Sequence, residues 1–174
     1  MLDVSVSYNR YKFLGHEFLT WLWFMIDTDQ NYIKSLQEDL ISFEIHNRIV
    51  LENSFDNLTE NITIKGDDAG LEEAKLSLQK GGVVTECNFS LKMGDLEWKF
   101  NIKGESLNIS SLKSPETGNI EKKEDIEGVV LEKVYLYEKV VTLLEKLYTQ
   151  FIALRIKNTW KEKTVPLIKN WIQS

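Results

Sequence analysis

The residues of this sequence that could bind a metal or act as a nucleophile are few and scattered. His16 and Glu17 begin a zinc-peptidase motif, but Thr20 stands where that motif needs its second histidine. His46 belongs to a different predicted element, and Cys87 falls on the apolar face of a strand pattern, which is typical of a small core residue. The sequence therefore favours a protein without catalytic residues, metal or cofactor.

A run of oxygen-bearing side chains follows the first apolar segment with the spacing of a calcium-binding loop. Its members are Asp27, Asp29, Asn31, Ser35 and Glu38. The sharp turn of such a loop needs glycine where this chain has Tyr32. We therefore interpret the run as a loop that caps a helix, rather than as a calcium site.

The C-terminal segment combines basic residues with a tryptophan. From Arg155 to Ser174 there are five basic residues and one acid, whereas the whole chain has a net charge of -6. Cations neutralise phosphates and an aromatic ring can stack on a base, so this pattern predicts a nucleic-acid surface. The alternative is an amphipathic helix with a solvated basic face. The predicted DNA-binding residues are Arg155, Lys157, Trp160, Lys161, Lys163 and Lys169.

Two helical patterns enclose a β-rich middle. Apolar residues at helical spacing predict a buried helix over 13–26, and they are Leu14, Phe18, Trp21, Leu22, Met25 and Ile26. Alternating residues predict strands over most of 42–110, with a weak turn signal at Asn47-Arg48 and a short helix at 68–80. We expect a flexible linker at 111–128 and a helical region with a basic end at 129–174.

Strands joined by short turns, with helices at both ends, predict one α+β domain over 1–174. Its antiparallel sheet of about five strands should pack against the N-terminal helix and the long C-terminal helices. The length of 174 residues is typical of a single domain. No apolar run is long enough to span a bilayer.

The long helical region carries two apolar stripes. One contains Val130, Val134, Tyr137, Val141, Leu144, Tyr148 and Phe151, and the other contains Leu136, Val140, Leu143, Leu147 and Leu154. Two stripes on one helix indicate packing on the sheet and on a second body, which is either the N-terminal helix or another subunit. We predict an interaction surface, for a homo-oligomer or a partner chain, at Trp23, Phe24, Leu136, Val140, Leu143 and Leu147.

The first residues lack the features of a secretory signal, and a lone cysteine fits a reducing compartment, so we expect a cytoplasmic protein. Three stretches resemble the later part of bacterial recombination-associated RdgC-type proteins. They are FLGHEFLTWLWF, LEEAKLSLQKGGVVTECNFSLKMGDLEWKFNIKGESLNISSLKSP and LYTQFIALRIKNTWKEKTVPLIKNWI. The resemblance covers Phe13 to Ile172 in matching order and rests on apolar and aromatic patterns.

The resemblance implies a bacterial cytoplasmic protein linked to DNA and recombination. The better-known members of that family bind duplex DNA without strong sequence preference, as ring-shaped dimers with a basic opening, and restrain a recombinase. Some such proteins carry the name of an exonuclease, but no nuclease carboxylate cluster can be matched in this chain. We therefore expect a non-catalytic DNA-binding or recombination-associated protein that modulates recombinase access to DNA. The alternative is a protein-interaction module that binds no nucleic acid.

Overall fold

The computed structural model describes residues 4–55, 58–66, 68–119, 122–123 and 125–174. It contains one five-stranded sheet whose apolar face packs against helices. In chain order the elements are α1 (Val4–Thr28), α2 (Gln30–Ser35), β1 (Leu40–Phe55), β2 (Leu58–Lys65), α3 (Asp68–Gln79), β3 (Val83–Met93), β4 (Leu96–Lys103), β5 (Asn108–Lys113), α4 (Asp125–Arg155), a π-helical turn (Trp160–Thr164) and α5 (Val165–Gln173).

The strands are ordered β2-β1-β3-β4-β5, and every neighbouring pair is antiparallel. Short turns join β3 to β4 and β4 to β5, whereas β2 and α3 lie in the chain between the paired strands β1 and β3. The β3–β4 turn passes through Gly94 at a φ of 54°, which glycine adopts without strain. The prediction of an α+β fold with a five-stranded antiparallel sheet, an N-terminal helix and a long C-terminal helix is confirmed.

A bulge in β1 stands where the sequence carries a weak turn signal. β1 continues unbroken through Asn47-Arg48. Ile45 pairs with Phe89 and Ile49 pairs with Cys87, so three residues of β1 lie opposite one residue of β3. The predicted break between two strands is therefore wrong. Extra residues in one strand of an antiparallel pair bend it locally without ending the ladder.

One half of β1 lies at the edge of the sheet. In the part of the chain that the structure describes, β2 pairs with β1 only from Arg48 to Phe55. The earlier half of β1 therefore presents backbone groups on the side away from β3. One of them is covered, because the Gln30 side chain of α2 donates a hydrogen bond to the carbonyl oxygen of Phe43 at 2.7 Å.

The core lies between the sheet and α1. Three phenylalanine rings from β1, β3 and β4 stack across the apolar face of the sheet, with Phe43 5.2 Å from Phe89 and 6.2 Å from Phe100 between ring centroids. Helix α1 buries Phe18 and Leu22 against this layer. The predicted core face of the first helix is confirmed at these positions, although the helix begins earlier, at Val4, than predicted.

Helix α1 approaches the sheet most closely at Gly15. A Cβ at this position would overlap the carbonyl oxygen of Gly104 and lie 2.6 Å from its carbonyl carbon, so only glycine fits. Gly104 is itself fixed, because its N–H donates to the Thr85 oxygen of β3 at 2.7 Å. The helix and the turn after β4 therefore meet backbone to backbone.

Other predicted boundaries shift by small amounts. The helix predicted at 68–80 is present as α3. The predicted linker 111–128 is shorter, because β5 continues to Lys113 and α4 begins at Asp125. Within it, the N–H of Gly118 donates to the Glu132 carboxylate of α4 at 3.1 Å. Within the calcium-like run, Asp29 caps a helix as interpreted, because its side chain accepts from the N–H of Tyr32 at 3.1 Å at the start of α2. The run is not a continuous loop, since Asn31 and Ser35 lie within α2 itself.

Candidate functional site

The predicted aromatic contact with nucleic acid is wrong, because Trp160 is buried in the core. Its side chain is only 5% exposed, and its ring meets the Phe151 ring edge to face at 5.5 Å. The Arg155 guanidinium lies 5.5 Å from the centre of the same ring and makes an ion pair with Glu17, with Nε 2.6 Å from Oε2. Neither the ring of Trp160 nor the charge of Arg155 is therefore free for a ligand.

The lysines of the same segment remain on the surface. Lys157 lies in the turn after α4, Lys161 and Lys163 lie in the π-helical turn, and Lys169 lies on α5, all solvent-exposed. None of the ion pairs found among the described residues involves any of these four side chains. The structure thus separates the predicted DNA-binding set into four exposed cations, the half-buried and ion-paired Arg155, and the core residue Trp160.

The predicted interaction surface is wrong at five of its six positions, because the chain itself covers them. These five are Trp23, Leu136, Val140, Leu143 and Leu147. Trp171 of α5 closes over the sixth position, Phe24, which is half-buried: the ring centroids are 5.7 Å apart, and Trp171 also meets Trp23 at 5.1 Å. The C-terminal helices thus supply the cover that the second face of α1 requires, without another subunit.

The earlier part of the other apolar stripe of α4 faces solvent, whereas its later members Leu144 and Phe151 are buried. Five of its side chains on the first half of the helix are 38% to 52% exposed, and we call them the α4 stripe: Ile126, Val130, Val134, Tyr137 and Val141. Leu131 and Tyr135, on the same half of the helix, are also exposed. These five side chains follow one another along one side of the helix, and a contiguous exposed apolar patch of this kind can mark an interaction site.

The α4 stripe continues into a groove between α4 and the sheet. Val141 lines this groove together with Leu144 and Tyr148 of α4, and Ile102 and Ile109 form part of the opposite wall. Its volume is about 210 Å³. Exposed apolar positions therefore pass without interruption from the first half of α4 into a shallow apolar depression. An elongated apolar partner, such as a helix, fits this shape.

Cys87 is buried and His16 is half-buried, in ways that do not favour nucleophilic or acid–base catalysis. Burial raises the pKa of the Cys87 thiol, so the residue is not a thiolate nucleophile at neutral pH. Burial likewise lowers the pKa of His16, whose ring is held neutral near pH 7. Across the residues that the structure describes, no group of three or more His, Cys, Asp or Glu side chains is arranged to hold a metal ion.

Comparison with known proteins gives no family for this chain. A scan against protein-family models and a search of curated proteins found no match. In the described part of the chain, no helix is both long enough and apolar enough to cross a membrane. A functional proposal for this chain therefore rests on the exposed α4 stripe and on the four exposed lysines.

Most of the α4 stripe lies within the 4-3 pattern from Val130 to Phe151, whereas the predicted interaction surface lies mainly on the other stripe. Residue type does not distinguish the two, because the exposed positions are mainly valine and isoleucine, which are buried as often as leucine. Contacts with residues distant in the sequence decide which stripe is covered.

Proposed function

We propose that this chain is a non-catalytic protein-association module whose α4 stripe pairs with the α4 stripe of a second copy. The observation that carries the proposal is the exposure of Ile126, Val130, Val134, Tyr137 and Val141 along one side of a 31-residue helix. Exposure of this apolar surface to water is unfavourable. Burying it against an identical helix lowers the free energy of the system by about 25 cal/mol for each Å² of apolar surface covered.

The spacing of the α4 stripe supports pairing between helices. From Val130 the apolar positions follow steps of four and three residues through Val134, Tyr137 and Val141, which is the seam of a two-stranded coiled coil. β-Branched valines at Val134 and Val141 occupy the positions at which such residues favour two strands. The same heptad continues into the groove at Leu144.

Charges beside the α4 stripe favour a parallel pair. Lys133 and Glu138 are both exposed, lie on opposite flanks of the stripe, and are five residues apart, which is the separation of facing flank positions in a parallel coiled coil. Each copy would then contribute one lysine and one glutamate to two identical ion pairs. In an antiparallel pair the flank carrying Glu138 and Glu145 would face its own counterpart, and like charges would meet.

Sedimentation equilibrium from about 1 to 200 μM tests the association. We expect a monomer–dimer equilibrium in the wild type and a dissociation constant raised by about tenfold or more in Val134→Glu, because a charge enters the apolar seam. Thr142→Glu is the matched control, since it places the same charge at an exposed position of α4 outside the stripe. A wild type that is monomeric at all concentrations would refute the proposal.

The parallel orientation is tested separately by reversing charge. Lys133→Glu and Glu138→Lys should each weaken the dimer by about threefold, as expected for exposed ion pairs. The double variant should restore wild-type affinity, because both pairs return with opposite polarity. If the double variant is weaker than either single variant while Val134→Glu still dissociates the dimer, the copies pair through α4 in another orientation.

We also propose, as a second function, that the chain binds DNA without sequence specificity in the bacterial cytoplasm, where it modulates recombination as its resemblance to RdgC-type proteins implies. The support is the group of four exposed lysines, which have no ion-pair partner among the described residues. Neutralising four phosphates predicts a fall in affinity of roughly a hundredfold between about 50 and 200 mM salt.

Titration of labelled duplex and single-stranded DNA at these two salt concentrations tests this second function. The triple variant Lys157→Glu, Lys161→Glu and Lys163→Glu should abolish binding. A control with the same change in net charge replaces three exposed lysines elsewhere, Lys65, Lys80 and Lys92, by glutamate. Equal loss in the two triple variants would show an effect of net charge alone, and absence of binding at low salt would contradict the proposal.

A further inference from the structure

A second and larger groove lies between α1, the turn from α3 to β3, and the C-terminal helices. We call it the C-terminal groove, and its volume is about 510 Å³. This is within the range of roughly 300 to 1,000 Å³ that small-molecule sites occupy. Its walls are mainly apolar and include Leu78, Val83, Trp160, Ile168 and Ile172.

The mouth of the C-terminal groove exposes large apolar side chains. Phe13 of α1 is 44% exposed and Val83 of β3 is 39% exposed, and both line the groove. Deeper in the groove, Trp160 and Ile168 are buried. The apolar surface therefore extends from solvent to the core, so a long apolar group could enter from one end and be covered along its length.

One positive charge is left free at the C-terminal groove. Lys169 lines it, is exposed and has no ion pair with any described residue. Glu17, the one carboxylate of the lining, is neutralised by Arg155, whose Nε and Nη2 lie 2.6 and 3.4 Å from its two oxygens. The hydroxyl of Thr20 donates to the carbonyl oxygen of His16 at 3.1 Å. An anion is thus attracted at one point of an otherwise apolar channel.

We propose that the C-terminal groove binds a fatty acid, with the acyl chain along the apolar walls and the carboxylate accepting a hydrogen bond from Nζ of Lys169. The acyl chain covers the apolar side chains at Phe13 and Val83 that are otherwise exposed. The ammonium of Lys169 then fixes which end of the ligand lies at the C-terminal helices. This inference does not depend on the association of α4 or on DNA binding, because it concerns residues outside both surfaces except Lys169.

Calorimetric titration of the full chain with laurate, below its micelle concentration, tests the proposal. We expect saturable binding at one site per chain. Lys169→Met should weaken it by about fivefold, the effect of losing one partly exposed ion pair, while leaving the affinity for the uncharged dodecanol unchanged. Lys163→Met is the matched control, because Lys163 is an exposed lysine of the same region that does not line the groove.

A blocking variant and a mapping experiment locate the ligand. Val83→Trp should abolish laurate binding, because a larger ring at the half-open mouth fills the channel without entering the core. Laurate should also shift the indole N–H resonance of Trp160. Dodecyl phosphate distinguishes the head group, since stronger binding than laurate would point to a phosphate-bearing lipid instead.

Three results would overturn the proposal. They are the absence of saturable binding to the wild type, equal weakening by Lys169→Met and Lys163→Met, and loss of binding in Val134→Glu. The last result would place laurate on the α4 stripe, and the variant keeps the C-terminal groove intact because Val134 does not line it.

Discussion

Replacing Gly15 by alanine would put a methyl group into the closest backbone contact between α1 and the sheet. The added Cβ would overlap the Gly104 oxygen and lie 2.6 Å from its carbonyl carbon, about 1 Å inside ordinary van der Waals contact. Both partners are backbone, so no rotamer change relieves the overlap. The hydrogen bond from Gly104 to Thr85 resists movement of the turn.

Two opposing terms set the size of the effect at Gly15. Alanine gains about 1 kcal/mol over glycine in a helix. Overpacking costs typically 1–3 kcal/mol, and we take about 3 kcal/mol because the clash is between backbone atoms. The net expectation is a loss of about 2 kcal/mol in the free energy of unfolding. For a chain of this size, that corresponds to a Tm lower by about 4–8 °C.

Gly128 of α4 provides the matched control. A Cβ there meets nothing within 4 Å, so the same replacement should stabilise the protein by about 0.5–1 kcal/mol through helix propensity alone. Urea unfolding followed by tryptophan fluorescence measures both variants, with circular dichroism as a second probe. The reasoning is refuted if Gly15→Ala unfolds at the same urea concentration as the wild type or at a higher one.

Three further predictions concern single residues. Because burial raises the pKa of Cys87, the thiol should resist iodoacetamide at pH 8 in the native protein and react fully in urea. Equal rates of alkylation in the native and the urea-unfolded protein would show that the thiol is accessible in the fold. Because burial lowers the pKa of His16 below its ordinary value of 6.5, the unfolded chain binds a proton that the folded chain does not, and stability falls as the pH drops from about 7 to 5.5. His16→Gln should flatten this slope in urea unfolding, and an unchanged slope would assign it to other groups. Asp29→Ala should cost about 1 kcal/mol by removing the cap of α2, whereas Asp29→Asn should restore most of it.

The sequence predicts the helices and strands of this fold better than it predicts how they pair and pack with one another. The helical period of α1 and the strand alternation at Phe89 and Phe100 are local signals, and both lead to the correct elements. The bulge at Asn47 has no comparable signal, because its geometry depends on the register between β1 and β3. Because turns and bulges favour similar residue types, the residues at Asn47-Arg48 do not show which of the two forms there.

The candidate site shows the same limit. Lysines around Trp160 look like a nucleic-acid surface when only neighbours in the chain are considered, but the ring is buried against Phe151 of α4. Likewise, helical spacing identifies two stripes on α4 without saying which one the sheet and α1 will cover. Spacing specifies faces, whereas burial depends on contacts between residues that are distant in the sequence.

The hydrogen bond from Gln30 to the Phe43 oxygen has a consequence for the behaviour of the protein in concentrated solution. An uncovered strand edge can recruit a strand from another molecule and begin aggregation. By covering one acceptor in the unpaired half of β1, the side chain of α2 interrupts the row of groups that such a strand would need. The side chain of Gln30 thus removes one of the acceptors through which this sheet edge could pair with a strand of another molecule.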